Sequence, residues 1–219
     1  MRYEEMDRMQ LQKEYAAVKE KYEAIKERGL KLDMSRGKPC KEQLDLGEEL
    51  FSNISGSDCS VDGFDIRNYG LFEGLPACRE LFAELLGVKP QQIFAGGNAS
   101  LSLMYSVLTV GYVYGFKGCA PWGKLDAFKF LCPAPGYDRH FAISQAFGAE
   151  LVLIPMTDGG PDMDAVEEAV KDPAVKGIWG VPKYSNPTGV IYSDETIERF
   201  ASLKPAAEDF IVMWDNAYY

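Results

Sequence analysis

The amino-acid sequence predicts an α/β fold, with a mostly parallel sheet and helices on both of its faces. Beyond Gly74, short apolar runs alternate with stretches of helical periodicity, and this alternation is typical of a parallel sheet. Before it, residues 30–70 are irregular, show no repeat and are rich in Gly, Ser and Asp. We therefore expect an N-terminal helix and arm over residues 1–50 and one large domain over residues 51–219.

The N-terminal segment predicts a single amphipathic helix. Apolar side chains recur there at spacings of four and three, which is the period of a helix with one apolar stripe; they are Leu11, Tyr15, Val18, Tyr22 and Ile25. Glu and Lys fill the other faces, and Gly29 is a suitable stop. Because a coiled coil would need more heptads, we expect one surface-packed helix.

The elements of the large domain follow in order. A first helix, Leu75–Leu86, is bracketed by Pro76 and Gly87. The predicted strands are Gln92–Ala95, Phe128–Cys132, Leu151–Pro155, Gly177–Val181 and Phe210–Trp214. The helices between them are predicted at Leu101–Tyr114, Tyr137–Phe147, Asp162–Lys171 and Asp194–Leu203.

Composition excludes several classes of partner and site. The 219 residues carry a net charge of −10 without a dense basic stretch, so nucleic acid and anionic membrane surfaces are poor partners. The charged N-terminus does not resemble a signal peptide, and no apolar run reaches membrane-spanning length. Five unpaired-looking cysteines indicate reduced thiols and a cytoplasmic protein, and the single histidine, His140, argues against a metal centre.

Ligands of open α/β sheets bind beyond the carboxyl ends of the strands, and four segments at such positions stand out. The first, Gly96–Ser100, follows a predicted strand and opens a helix. Free N–H groups at such a helix start bind phosphate, whereas the plainer interpretation is a Gly turn with an N-cap. The segment is neither a dinucleotide fingerprint nor a Walker A loop.

The second and third segments supply an aromatic ring and an amide. Tyr137, after a proline-rich turn, could stack on a planar heterocycle or could be a core tyrosine at a helix start. Within Ser185–Gly189, Asn186 precedes Pro187, which indicates either a plain turn or an amide aimed into a site through a cis bond. Such an amide could bond a phenolate oxygen and a substrate carboxylate.

The fourth segment, Asp215–Tyr218, follows the last predicted strand. A carboxylate beyond a buried strand needs a partner, because isolated burial of a charge is costly. A protonated pyridine nitrogen would be such a partner, and an Arg or Lys side chain is the alternative.

The order and spacing of these four segments resemble the class I aminotransferases, which depend on pyridoxal 5'-phosphate (PLP) and have fold type I. The resemblance extends to the segment from Tyr69 to Pro76, YGLFEGLP. Within the family, Ser35–Pro39 (SRGKP) and Cys132–His140 (CPAPGYDRH) are similar to the bacterial aspartate aminotransferases related to the MocR-type domain. The resemblance implies that residues 1–50 contribute to a small domain and that residues 51–219 are an incomplete PLP-binding domain.

The resemblance also implies a role for individual residues. The cofactor phosphate would be held by Asn98, Ala99 and Ser100, and by Tyr69 from the partner subunit of a homodimer with shared active sites. Tyr137 would stack on the pyridine ring, Asp215 would pair with its nitrogen, and Asn186 and Tyr218 would bond its 3-oxygen. The substrate would be contacted by Asn186 and by the loop at Gly37, where Arg36 is a weaker candidate.

The implied reaction is transfer of an amino group from an amino acid, expected to be aspartate or glutamate, to a 2-oxo acid. The family's Schiff-base lysine follows the Asp-x-Ala-Tyr segment, so we expect it beyond Tyr219, in a longer protein; Lys183 and Lys204 do not match its position. No catalytic residue is therefore assigned within these residues, which alone would be inactive. A PLP-dependent lyase and a non-catalytic regulatory or dimerisation module remain alternatives.

Overall fold

A computed structural model of the chain describes residues 3–32, 38–53 and 55–219. It contains two compact units, one up to Gly70 and the other from Leu71 to Tyr219. The expected domain boundary at residue 50 stays a prediction. Across the described residues, the helices are too short or too polar to span a bilayer.

The first unit begins with the predicted amphipathic helix, α1 (Arg8–Glu27). Its start is fixed by reciprocal bonds, because the Asp7 carboxylate accepts from the Gln10 N–H at 2.8 Å and the Gln10 side chain accepts from the Asp7 N–H at 2.9 Å. Within this unit the apolar stripe of α1 is exposed.

The arm after α1 is more structured than its composition predicts. It contains two single-turn helices, α2 (Lys41–Asp45) and α3 (Glu48–Ser52), and a hairpin of β1 (Ser60–Val61) and β2 (Phe64–Asp65). The two residues of the hairpin turn, Asp62 and Gly63, both have positive φ, as a tight two-residue hairpin requires.

The second unit alternates helices and strands as the sequence predicts. Its helices are α4 (Pro76–Leu86), α5 (Ser100–Val113), α6 (Asp138–Ala146), α7 (Met163–Ala169) and α8 (Asp194–Ala201). Its strands are β3 (Lys129–Ala134), β4 (Glu150–Thr157), β5 (Gly160–Pro161), β6 (Val175–Gly180) and β7 (Ile211–Trp214). The strand order is β5-β4-β3-β6-β7, and every neighbouring pair except β4–β5 is parallel.

Helices cover both faces of this sheet, which confirms the predicted architecture. Alternate residues of β3 point to opposite faces, so Phe130 and Cys132 enter one apolar core and Leu131 enters the other. Leu108 of α5 packs in the first core, whereas α7 and α8 contribute to the second, for example through Val166.

The predicted strand Gln92–Ala95 is wrong. Pro90–Gln92 forms a single 3-10 turn, Ile93 after it is extended, and residues 93–97 form neither helix nor strand. The Ala95 N–H donates instead to the Glu73 carbonyl at 2.9 Å. A short apolar run becomes a strand only when a neighbouring strand pairs with it, and none of the described strands lies beside this run.

Candidate functional site

Three of the four predicted segments follow strands of the parallel sheet: β3 leads to Tyr137, β6 to Asn186 and β7 to Asp215. Because these strands run in the same direction, their carboxyl ends meet at one edge of the sheet. The first segment, residues 96–100, precedes α5 but follows no strand.

A pocket lies at this edge, and we call it the strand-end pocket. Its lining includes two predicted site residues, Tyr137 and Asn186. The other lining residues are Pro133, Pro135, Gly136, His140, Phe141, Met156, Trp179, Gly180, Val181, Ser185 and Tyr192. The structure thus brings together the segments that follow β3 and β6.

Asp215 is hydrogen-bonded to His140, which lines the strand-end pocket. The His140 Nε2 and the Asp215 Oδ2 are 3.0 Å apart, and their side chains are 1% and 12% exposed. Since an ionised carboxylate only accepts hydrogen bonds, Nε2 is the donor in this pair when Asp215 is charged. The backbone N–H of Asp215 also donates to the Gly180 carbonyl, at 2.8 Å. Among the described residues, no Arg or Lys side chain, the alternative partner that the sequence left open for Asp215, is paired with it; the imidazole of His140 is.

The His140 ring contacts two aromatic rings. The indole of Trp179 stacks on it in parallel, with ring centres 4.4 Å apart and planes 7° apart. The Tyr137 ring is nearly perpendicular, at 5.1 Å and 87°. From the sequence, no site role was assigned to His140, whose being the single histidine argued against a metal centre. It lies three residues after Tyr137, which places both on one face of the helix start. That spacing is the signal that could have identified it.

The turn after β3 needs a glycine and contains a cis bond between Ala134 and Pro135. A Cβ atom on Gly136 would lie 2.2 Å from the Pro133 carbonyl oxygen, so no larger residue fits this backbone. The close turn leaves Tyr137 as the residue just before α6, half-buried at the pocket.

The loop after β6 is closed by hydrogen bonds around Ser185. The Ser185 N–H donates to the Val190 carbonyl at 2.8 Å, and its hydroxyl donates to the Val181 carbonyl at 2.5 Å. The bond between Asn186 and Pro187 is cis, which confirms that prediction. Asn186 is exposed at the pocket.

Tyr192 is a buried titratable group in the wall of this pocket. Its hydroxyl accepts from the Val181 N–H at 3.3 Å, and burial is the main reason why its pKa is raised to about 12. In the unfolded chain a tyrosine ionises near pH 10. The stability associated with neutral Tyr192 is therefore complete below about pH 10 and is lost as the pH rises towards 12.

We expect Tyr192→Phe to reduce the alkaline loss of stability. The shift of about two pKa units corresponds to roughly 3 kcal/mol of unfolding free energy lost between pH 10 and 12 in the wild type. Urea unfolding at several pH values would measure this loss. The other tyrosines contribute equally in both proteins, so their effect cancels in the difference between the two unfolding free energies. Tyr3→Phe, at an exposed position in the first unit, is the matched control. Parallel stability curves for wild type and Tyr192→Phe would contradict the expectation.

The segment Gly96–Ser100 forms an exposed helix start. α5 begins at Ser100, and no side chain caps the N–H groups of its first turn. Leu101 and Ser102 line a groove whose other wall is formed by α6, from Arg139 to Ala146. The strand-end pocket is not lined by Asn98, Ala99 or Ser100.

The remaining predicted site residues are not brought into the strand-end pocket by the described structure. Tyr218 is 47% exposed beyond β7, and Tyr69, in the first unit, is 93% exposed. Gly37 and Arg36 lie outside the described residues. Across the part of the chain that the structure describes, no three His, Cys, Asp or Glu side chains are grouped as they would be around a metal ion.

Comparison with known proteins shows the family to which this chain belongs. The family described as aspartate aminotransferase matches residues 6–219. The chain belongs to the aspartate aminotransferase family. The aspartate aminotransferase of Corynebacterium glutamicum is 46% identical over 203 residues, which are 92% of this chain and 47% of that protein.

Solved structures agree with this assignment to the aspartate aminotransferase family. An aspartate transaminase from Corynebacterium glutamicum superimposes with a TM-score of 0.86 at 44% identity, covering 96% of this chain and 50% of that one. An α-aminoadipate aminotransferase from Thermus thermophilus, at 24% identity and a TM-score of 0.54, covers 68% of this chain and 35% of its own and shares the fold alone. The chain spans about half the length of the curated relatives it matches.

Proposed function

We propose that the protein containing these residues is a PLP-dependent aminotransferase that moves an amino group from aspartate or glutamate to a 2-oxo acid. The observation that carries the proposal is the Asp215–His140 pair at a pocket that also holds Tyr137 and Asn186. The similarity to aspartate aminotransferases supports it further, and the structure from Thermus thermophilus is complexed with N-(5'-phosphopyridoxyl)-L-leucine.

The chemistry of these residues fits PLP. A largely buried carboxylate suits a protonated ring nitrogen, an aromatic side chain suits the face of the ring, and an uncapped helix start suits a phosphate. When bound, PLP supplies a ring that accepts the electrons released at the substrate's α-carbon.

In this proposal each predicted residue performs a binding or orienting step. Asp215 holds the proton on the ring nitrogen, and His140 restrains that carboxylate. Tyr137 covers one face of the ring, and Asn98, Ala99 and Ser100 bind the phosphate. The further contacts are Asn186 and Tyr218 to the 3-oxygen of the ring, Asn186 and Gly37 to the substrate, and Tyr69 to the phosphate of the partner subunit in a cytoplasmic homodimer.

Purified full-length protein, incubated with aspartate, 2-oxoglutarate and PLP, tests this proposal. We expect oxaloacetate and glutamate in equal amounts, and an absorbance change of the bound cofactor when aspartate is added alone. Release of ammonia or carbon dioxide without glutamate would instead identify a lyase. Failure to bind PLP at all would favour a non-catalytic module.

A further inference from the structure

We propose that Ser144 and Trp179 are positioning residues that, through the ring of His140, fix the direction in which Asp215 presents its carboxylate. The inference rests on the proposed function, because it concerns the carboxylate assigned to the ring nitrogen. Ser144, Trp179 and His140 are each at most 2% exposed, so their side chains are almost wholly enclosed by the protein.

The first link joins α6 to β6. The Trp179 indole Nε1 donates to the Ser144 Oγ at 2.9 Å. A buried indole N–H needs an acceptor, and this hydroxyl provides it at one defined position. The bond therefore fixes the rotation of the indole about its side-chain torsions, while Phe130 packs beside the same ring with centres 5.6 Å apart.

The second link joins the indole to the imidazole. With ring planes only 7° apart, a rotation of His140 out of its present plane would drive it into Trp179. His140 and Ser144 are four residues apart on α6, so one face of this helix carries both the imidazole and the hydroxyl that anchors the indole.

The third link joins His140 to Asp215. The imidazole plane sets the direction of the Nε2–Oδ2 bond, and the Gly180 carbonyl receives the Asp215 N–H. Two consecutive residues of β6, Trp179 and Gly180, thereby control the side chain and the backbone of Asp215. Preorganised groups of this kind lower the reorganisation needed when charge develops at a bound ring.

The experiment uses cofactor-free full-length protein with ¹⁵N-labelled histidine. The His140 ring resonance is assigned by its loss in His140→Gln, and the exchange of its Nε2-bound hydrogen with solvent is measured by NMR. We expect roughly tenfold faster exchange in Ser144→Ala and in Trp179→Phe, because the imidazole loses its fixed plane. PLP affinity is expected to fall by about the same factor in both variants.

The matched control is Trp122→Phe. It also removes a buried indole donor, which bonds the Asp209 carboxylate at 2.7 Å, but this contact involves neither His140 nor Asp215. We expect its His140 exchange rate and PLP affinity to equal those of the wild type. Ser144→Ala removes a single oxygen, so it stays informative where Trp179→Phe does not fold.

The two proposals can fail separately. Unchanged His140 exchange in Ser144→Ala, or the same change in the Trp122→Phe control, would overturn the positioning role even in an active aminotransferase. The other outcome is faster exchange of the His140 Nε2-bound hydrogen in Ser144→Ala, in a protein that binds no PLP. It would support the contact between Ser144, Trp179 and His140, but it would overturn the proposed function and the positioning of Asp215 for a ring nitrogen.

Discussion

Replacing Asp215 with alanine in the full-length protein is expected to reduce transamination by roughly 10³-fold or more. The variant removes the carboxylate that the structure holds against His140, so the ring nitrogen of PLP would lose its counter-charge. Initial rates with aspartate and 2-oxoglutarate measure the effect. Thermal unfolding, followed in parallel, separates loss of chemistry from loss of fold.

Asp126→Ala is the matched control for this prediction. Asp126 is exposed and precedes β3, so it lies at the opposite edge of the sheet from Asp215. We expect its rate and stability to match the wild type. Near-normal turnover by Asp215→Ala would contradict the assignment of Asp215 to the ring nitrogen.

Asp209→Ala is expected to have the largest effect on stability, lowering the unfolding free energy by about 3–5 kcal/mol. The Asp209 carboxylate accepts from Lys176 Nζ at 2.7 Å and from Trp122 Nε1 at 2.7 Å, and its side chain is 2% exposed. Alanine would leave a largely buried ammonium group and a buried indole N–H without their acceptor. Urea unfolding at neutral pH measures the change.

Two further variants define the cause of this loss. Asp209→Asn keeps an oxygen acceptor and is expected to lose less stability than Asp209→Ala. Glu208→Ala removes the neighbouring, exposed carboxylate and should change stability by no more than about 0.5 kcal/mol. Equal stability of Asp209→Ala and Glu208→Ala would show that the buried ion pair contributes little.

Periodicity in the sequence was sufficient for most of the fold, because burial on both faces of a parallel sheet imposes a recognisable pattern. The segment of β6, Val175–Gly180, is apolar apart from Lys176, and that lysine is the residue that pairs with Asp209. The run Gln92–Ala95 is apolar apart from Gln92, but strand formation also depends on a partner strand. Local composition contains no information about that partner.

The candidate site was predicted in position but not in its contacts. A rule about strand ends selected Tyr137, Asn186 and Asp215, and the structure brings the segments of the first two into one pocket. The roles of these residues stay predictions. His140 was missed as a site residue, because its partner Asp215 lies 75 residues away and its three-residue spacing from Tyr137 is a weak local signal.

The sequence by itself determined the alternation of helices and strands over most of the second unit and the helical period of α1, since each depends on residues close together in the chain. Only the tertiary structure decided that His140 meets Asp215, which lies 75 residues away. It likewise decided that Trp179 stacks on that imidazole and donates to Ser144. Contacts of this kind depend on how α6, β6 and β7 pack, and packing is fixed by the whole core rather than by any local segment.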